Sequence, residues 1–137
     1  MYKVFLYPLI IAVLVHLIKM LIDITKKRFS WSHLWGYGGM PSSHAALVAS
    51  LATAVYLYEG VSVAFGIAVV FALVIIRDAL GLRSYLSEHS RILNKLIKDL
   101  PDEEEYKYPH LEERIAHTSF QLFVGAILGI VITFLLF

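Results

Sequence analysis

Four apolar stretches alternate with polar ones along the chain, at about Tyr2 to Ile22, Ser43 to Tyr58, Val61 to Ile76 and His117 to Phe137. A helix needs roughly 20 residues to cross about 30 Å of hydrocarbon, so the two shorter middle stretches must extend by a turn into flanking polar sequence. Between the third and fourth stretches the period changes. Leu86, Leu93, Leu96, Ile97 and Leu100 recur at three- and four-residue spacing among Arg91, Asn94, Lys95, Lys98 and Asp99. This spacing predicts an amphipathic helix near the headgroups, ended by Pro101. The run Asp102-Glu103-Glu104-Glu105 then reads as a solvated loop or first helical turn. The pattern predicts one domain over residues 1–137, an all-α integral membrane bundle of four transmembrane helices. A cytoplasmic amphipathic helix lies between helices three and four.

Composition agrees with the pattern. The 137 residues are 58% hydrophobic, against about 45–50% apolar in soluble domains, and the mean hydropathy is +0.70. With no cysteine there is no disulfide framework, thiol nucleophile or thiolate metal site. Lys3 precedes an apolar core as in a signal peptide, but no small-residue cleavage pattern precedes Thr25-Lys26-Lys27-Arg28, so the first stretch reads as a retained helix.

Charge distribution adds orientation. Asp23 to Ser42 and Arg77 to Ala116 together hold ten of the twelve Lys and Arg, whereas Glu59-Gly60 alone links the middle stretches. The positive-inside rule places both long segments in the cytoplasm and both termini outside, the expectation for an integral protein of the cytoplasmic (inner) membrane. The start of helix two, the end of helix three and the start of helix four then share one membrane face.

That face collects the groups capable of chemistry. Gly38-Gly39-Met40-Pro41-Ser42-Ser43-His44 puts small residues, two hydroxyls and an imidazole where a hydrophobic helix begins. Pro41 suits a first helical turn, and the N–H groups of Ser42, Ser43 and His44 would be donors for an anion at the positive end of the helix dipole. Helix four opens His117-Thr118-Ser119-Phe120-Gln121, and the same stripe continues to Gly125 and Gly129, small residues that admit a neighbouring helix. Asp78 at the end of helix three is either an ion-pair partner of Arg77 or Arg83, or a group that orients an imidazole or holds a cation while Arg83 binds phosphate oxygens. Lys19 and Asp23 form an i,i+4 pair or part of the same site. Lys26-Lys27-Arg28 is first a topology signal and secondly an attraction for anionic headgroups.

These residues resemble the divergent branch of the type 2 phosphatidic acid phosphatase superfamily, membrane proteins related to acid phosphatases and vanadium haloperoxidases. The resemblance runs through Gly38 to His44, Asp78-x-x-Gly81-x-Arg83, Leu93-Asn94-Lys95, and His117-Thr118-x-x-Gln121-x-x-x-Gly125. It implies that His44 protonates the leaving alkoxide and His117 attacks phosphorus, giving a phosphohistidine intermediate; Asp78, from helix three, is the candidate third catalytic group that would offset imidazolium charge. Ser42, Ser43, Arg83, Lys19, Lys26 and Gln121 would bind substrate. Lys19-x6-Lys26 stands where the superfamily has Lys-x6-Arg-Pro, and Gln121 replaces its orienting aspartate. Arg83-x5-His89 also has a superfamily spacing, which ranks His89 third among the histidines.

The implied activity is hydrolysis of a lipid phosphate monoester at the cytoplasmic face, with phosphatidylglycerophosphate ranked first. Polyprenyl phosphates or diphosphates and phosphatidic acid are the nearest alternatives. A non-hydrolytic lipid-phosphate binder or transporter is the rival class. The superfamily mechanism needs no cofactor, although a Mg2+ requirement stays open. Expected partners are the lipid substrate, membrane lipids and a second copy through Ala/Gly faces, with no nucleic acid.

Overall fold

The computed structural model describes residues 2–25, 40–101, 107–113 and 115–137. Among them are five helices and no strand: α1 (Tyr2–Thr25), α2 (Ser43–Glu59), α3 (Val63–Leu80), α4 (Leu82–Lys98) and α5 (Ser119–Leu136). Among the described residues three runs are long and apolar enough to cross a membrane, Tyr2–Thr25, Val63–Lys98 and Ser119–Leu136, each containing an 18-residue stretch of mean hydropathy 2.3. The second run is α3 continuing through Gly81 into α4.

The second of the four expected spans, α2, does not reach this standard. Its 17 residues make about 26 Å of helix at 1.5 Å each. Its composition gives the reason. Ala45, Ala46, Ser50, Thr53 and Ala54 are buried, and α2 packs against α1, α3 and α5 together. It is the inner helix of the bundle, selected for small cross-section instead of lipid contact.

Close approach of α5 to α2 depends on two glycines. A Cβ on Gly125 would overlap the Ser42 carbonyl, and one on Gly129 would overlap that of Ala46. One turn further, the buried Thr133 hydroxyl donates to Ser50 Oγ at 2.7 Å and also lies 2.6 Å from the Gly129 carbonyl. Polar side chains satisfied between helices hold such a contact where apolar burial gains nothing from lipid. Ile11 and Val15 of α1 close the same core against Ala46.

Caps set the helix ends. Ser42 is the N-cap of α2, its Oγ accepting from Ala45 N–H. Pro41 therefore precedes the cap instead of entering the first turn. The turn between α2 and α3 uses Gly60 at φ +70°, a left-handed conformation that other residues adopt at a cost, and Ser62 caps α3. At the opposite end α3 extends a full turn beyond Ile76 to Leu80.

No residue of α4 is buried. Leu82, Leu86, Leu93 and Leu96 are exposed and fall on one arc of the helix, with Arg83, Ser87, Arg91 and Asn94 on the other. The polar side binds the returning chain. Asn94 Nδ2 donates to the Leu111 carbonyl at 2.8 Å and to Glu113 Oε1 at 2.9 Å, and Asn94 Oδ1 accepts from Leu111 N–H at 2.9 Å. Ser87 Oγ accepts from the N–H groups of Ile115 and Ala116 at 3.2 and 3.0 Å. These bonds end one residue before His117.

Candidate active site

His117 lies just outside α5, whose N-cap is Thr118. Gln121 and Thr118 form a reciprocal capping box: Gln121 N–H donates to Thr118 Oγ1, and Gln121 Oε1 accepts from Thr118 N–H at 3.0 Å. The same Oε1 lies 3.4 Å from His117 Nδ1. Because the backbone donor fixes the amide orientation, an oxygen faces the imidazole. In the neutral ring that contact places the proton on Nδ1, which leaves the Nε2 lone pair available. Burial holds the His117 pKa below the ordinary imidazole value, with the Gln121 hydrogen bond opposing the shift. A neutral imidazole held in this way is a competent nucleophile.

The start of α2 is tied to this place by Ser42 N–H, which donates to the Gln121 carbonyl at 3.3 Å. The sequence expectation for Ser42 is thereby corrected. Its N–H is taken by α5, its hydroxyl caps α2, and the residue is fully buried. Anion donors remain one position along. The N–H groups of Ser43 and His44 have no partner among the described residues, as expected in a first helical turn. The His44 side of α2 is exposed.

Lys19 continues the buried stripe Pro8, Ile11, Val15 of α1 into the same region. The charges of Lys19, Arg83 and His44 all act on His117, and those of Arg83, Lys19, Asp78 and His16 act on His44. Asp23, one turn beyond Lys19, acts on it in turn. The structure thus places Lys19, His44, Asp78, Arg83, His117 and Gln121 at one end of the bundle, linked by two direct contacts and otherwise within electrostatic reach. Asp78 Oδ2 accepts from Arg83 Nε at 3.0 Å, the ion pair of its first reading, and among the described residues Asp78 makes no salt bridge with an imidazole. His89 is exposed on α4 and takes no part in this cluster.

Lys26, Gly38, Gly39 and the Asp102–Glu105 run lie outside the described residues. Among the described residues no three His, Asp or Glu side chains gather as a metal site. Of three further residues that the structure brings in, His16 and Ser87 have no part in the sequence reading and Asn94 enters it only through its helix pattern and motif. His16 was legible as a polar residue inside an apolar helix, on the face of Lys19 and Asp23. Ser87 gave no signal, because its role depends on where residues 115 and 116 return.

No solved structure matches the chain. It is 34% identical over 125 residues to the uncharacterized membrane protein YuiD of Bacillus subtilis (strain 168), covering 82% of this chain and 79% of that protein. The family model described as "Divergent PAP2 family" matches residues 2–132, a span that includes α1, both histidine blocks and the clamp on α4. With its apolar helices and this match over nearly the whole length, the chain is a membrane protein that belongs to the Divergent PAP2 family.

Proposed function

We propose that the protein is a phosphatase acting on a lipid phosphate monoester at the cytoplasmic face of the inner membrane, with phosphatidylglycerophosphate as its first-ranked substrate. The observation that carries this reading is that His117, its Nδ1 facing Gln121 Oε1, lies within electrostatic reach of His44, Lys19 and Arg83 at one bundle end. Family membership supports it.

In the mechanism His117 Nε2 attacks phosphorus and the bond from phosphorus to the lipid oxygen breaks. His44, as imidazolium, gives its proton to the departing alkoxide. Lys19, Arg83 and the N–H groups of Ser43 and His44 stabilise the equatorial oxygens, where charge is spread in the transition state. Asp78 holds the Arg83 guanidinium in place and balances charge near His44. Water then attacks the phosphohistidine, His44 accepts its proton, and inorganic phosphate leaves.

In this reading α2 also spans the bilayer, shielded from lipid by its neighbours, and makes the fourth transmembrane helix. The exposed apolar arc of α4 rests at the headgroup boundary. One observation favours a second reading, a lipid-phosphate binder or transporter: Gln121 stands beside His117 and cannot offset an imidazolium charge. Phosphate release by the purified protein from phosphatidylglycerophosphate, phosphatidic acid and polyprenyl phosphates, with and without chelator, separates these readings. Release from one lipid at a rate lost in His117→Ala supports the enzyme; binding of lipid phosphate without release supports the binder.

A further inference from the structure

A groove of about 270 Å³ opens between α1 and α2 beside the proposed site. Its polar end is formed by Ser43, His44 and His16, and its walls by Val13, Leu17 and Leu47. Val13 and Leu17 are 60% and 48% exposed, and both stand on a helix long and apolar enough to cross a membrane. The groove therefore opens sideways, toward lipid. His16 is half-buried nine residues before the end of α1, about 14 Å along the helix. It has no hydrogen-bond partner among the described residues. A polar side chain at that depth is costly without a function, and phosphate transfer as described above makes no use of it.

Taking the proposed phosphatase activity as its basis, we infer that this groove holds the glycerol and first methylenes of the lipid phosphate, with His16 binding a headgroup or ester oxygen below His44. The chemistry of the lining selects this occupant. An anionic group at the α2 N-terminus must continue into something that hydrogen-bonds once, at His16, and is then hydrocarbon. A water-soluble phosphate ester would use only the upper end. Hydrocarbon leaving the bilayer for the groove gains little, since lipid tails are as apolar as leucine. The groove thus acts by orienting the ester bond against His117 and not by adding affinity through burial.

Val13→Trp and Leu47→Trp fill the groove from its two walls without touching the phosphate end. Each variant is assayed on a dioleoyl lipid phosphate and on glycerol 3-phosphate. The expected result is a loss of roughly tenfold or more in kcat/KM for the long-chain lipid, the scale of misplacement effects, and less than twofold for the soluble ester. His16→Ala should follow the tryptophan variants and His16→Gln should recover most of the loss. Equal losses on both substrates, or none on either, overturn the groove assignment. A wild-type protein that hydrolyses neither substrate refutes the phosphatase reading instead. In that case a lipid phosphate with a photoreactive group near its carbonyl still tests the groove. Crosslinks to α1 near His16 and α2 near Leu47, lost in Val13→Trp, support it; crosslinks elsewhere overturn it.

Discussion

Arg83 Nε donates to Asp78 Oδ2 at 3.0 Å across the break at Gly81 that separates α3 from α4. The pair joins the two helices at the point where they meet the histidine cluster. It fixes the direction of the guanidinium, which phosphate recognition requires. Asp78→Asn preserves size and removes charge. If the pair aims Arg83 at substrate, turnover should fall roughly 10²-fold, on the scale of other electrostatic site groups. Thermal stability and turnover measured on the same preparation decide the matter: lower stability with unchanged turnover per folded molecule makes the pair a helix tie only.

His117→Ala should abolish formation of a phosphoenzyme, whereas His44→Ala should still form it and lose most with poor leaving groups. Acid-quenched labelling with a radioactive phosphate monoester distinguishes the two. Phosphoenzyme in His117→Ala would move the nucleophile elsewhere.

The pH dependence follows from what surrounds His117. Burial lowers its pKa, so the reactive neutral form persists below the ordinary imidazole range and the acid limb of kcat should lie below about pH 6.5. Gln121 opposes that shift. Gln121→Leu removes a contribution that raises the pKa, so the limb should move further down, with a lower plateau because the tautomer is no longer fixed. Gln121→Glu keeps the capping box and adds a negative charge that favours imidazolium, so the limb should move up. A pH profile of kcat for the three proteins checks both signs.

Ser87 and Asn94 hold the chain that delivers His117. Ser87→Ala leaves two N–H groups without their acceptor, a cost of about 1–3 kcal/mol if they stay dry, and turnover should fall roughly tenfold through misplacement of the imidazole. Ser87→Thr keeps the hydroxyl and should recover most of it. The drop should appear in kcat more than in KM, which a stability effect alone does not produce.

Glycine substitutions test the crossing of α2 and α5. Gly125→Ala and Gly129→Ala each force a Cβ into backbone carbonyls and should destabilise the fold by about 1–3 kcal/mol or more. Gly66→Ala in α3, where a Cβ meets nothing within 4 Å, should be neutral or stabilising by up to about 1 kcal/mol. Thermal unfolding in one detergent compares the three.

The sequence makes helices legible where periodicity or apolar length is strong. The amphipathic spacing of Leu86 to Leu96 predicts α4, and Gly125 and Gly129 predict a close helix contact. Ends were less readable. Hydropathy stops at Ile76, but polar Arg77 and Asp78 continue the α3 helix because Gly81 is the first residue able to end it. Thr118 draws the start of α5 two residues past His117. The candidate site is legible only as residue types expected to share one end. Pairings across elements, such as Asn94 with Leu111, depend on tertiary approach that spacing does not encode. The choice between Arg77 and Arg83 for Asp78 depended on the bend at Gly81.

The segment that carries His117 is braced on α4, and α4 has no buried residue of its own. Whatever supports the exposed leucines of that helix therefore also sets the alignment of the proposed nucleophile. In the proposed placement that support is the lipid surface. Detergent extraction exchanges a flat, ordered boundary for a small curved one beneath the brace. Rates from micelles should then underestimate those from vesicles, and reconstitution becomes a condition of a fair assay.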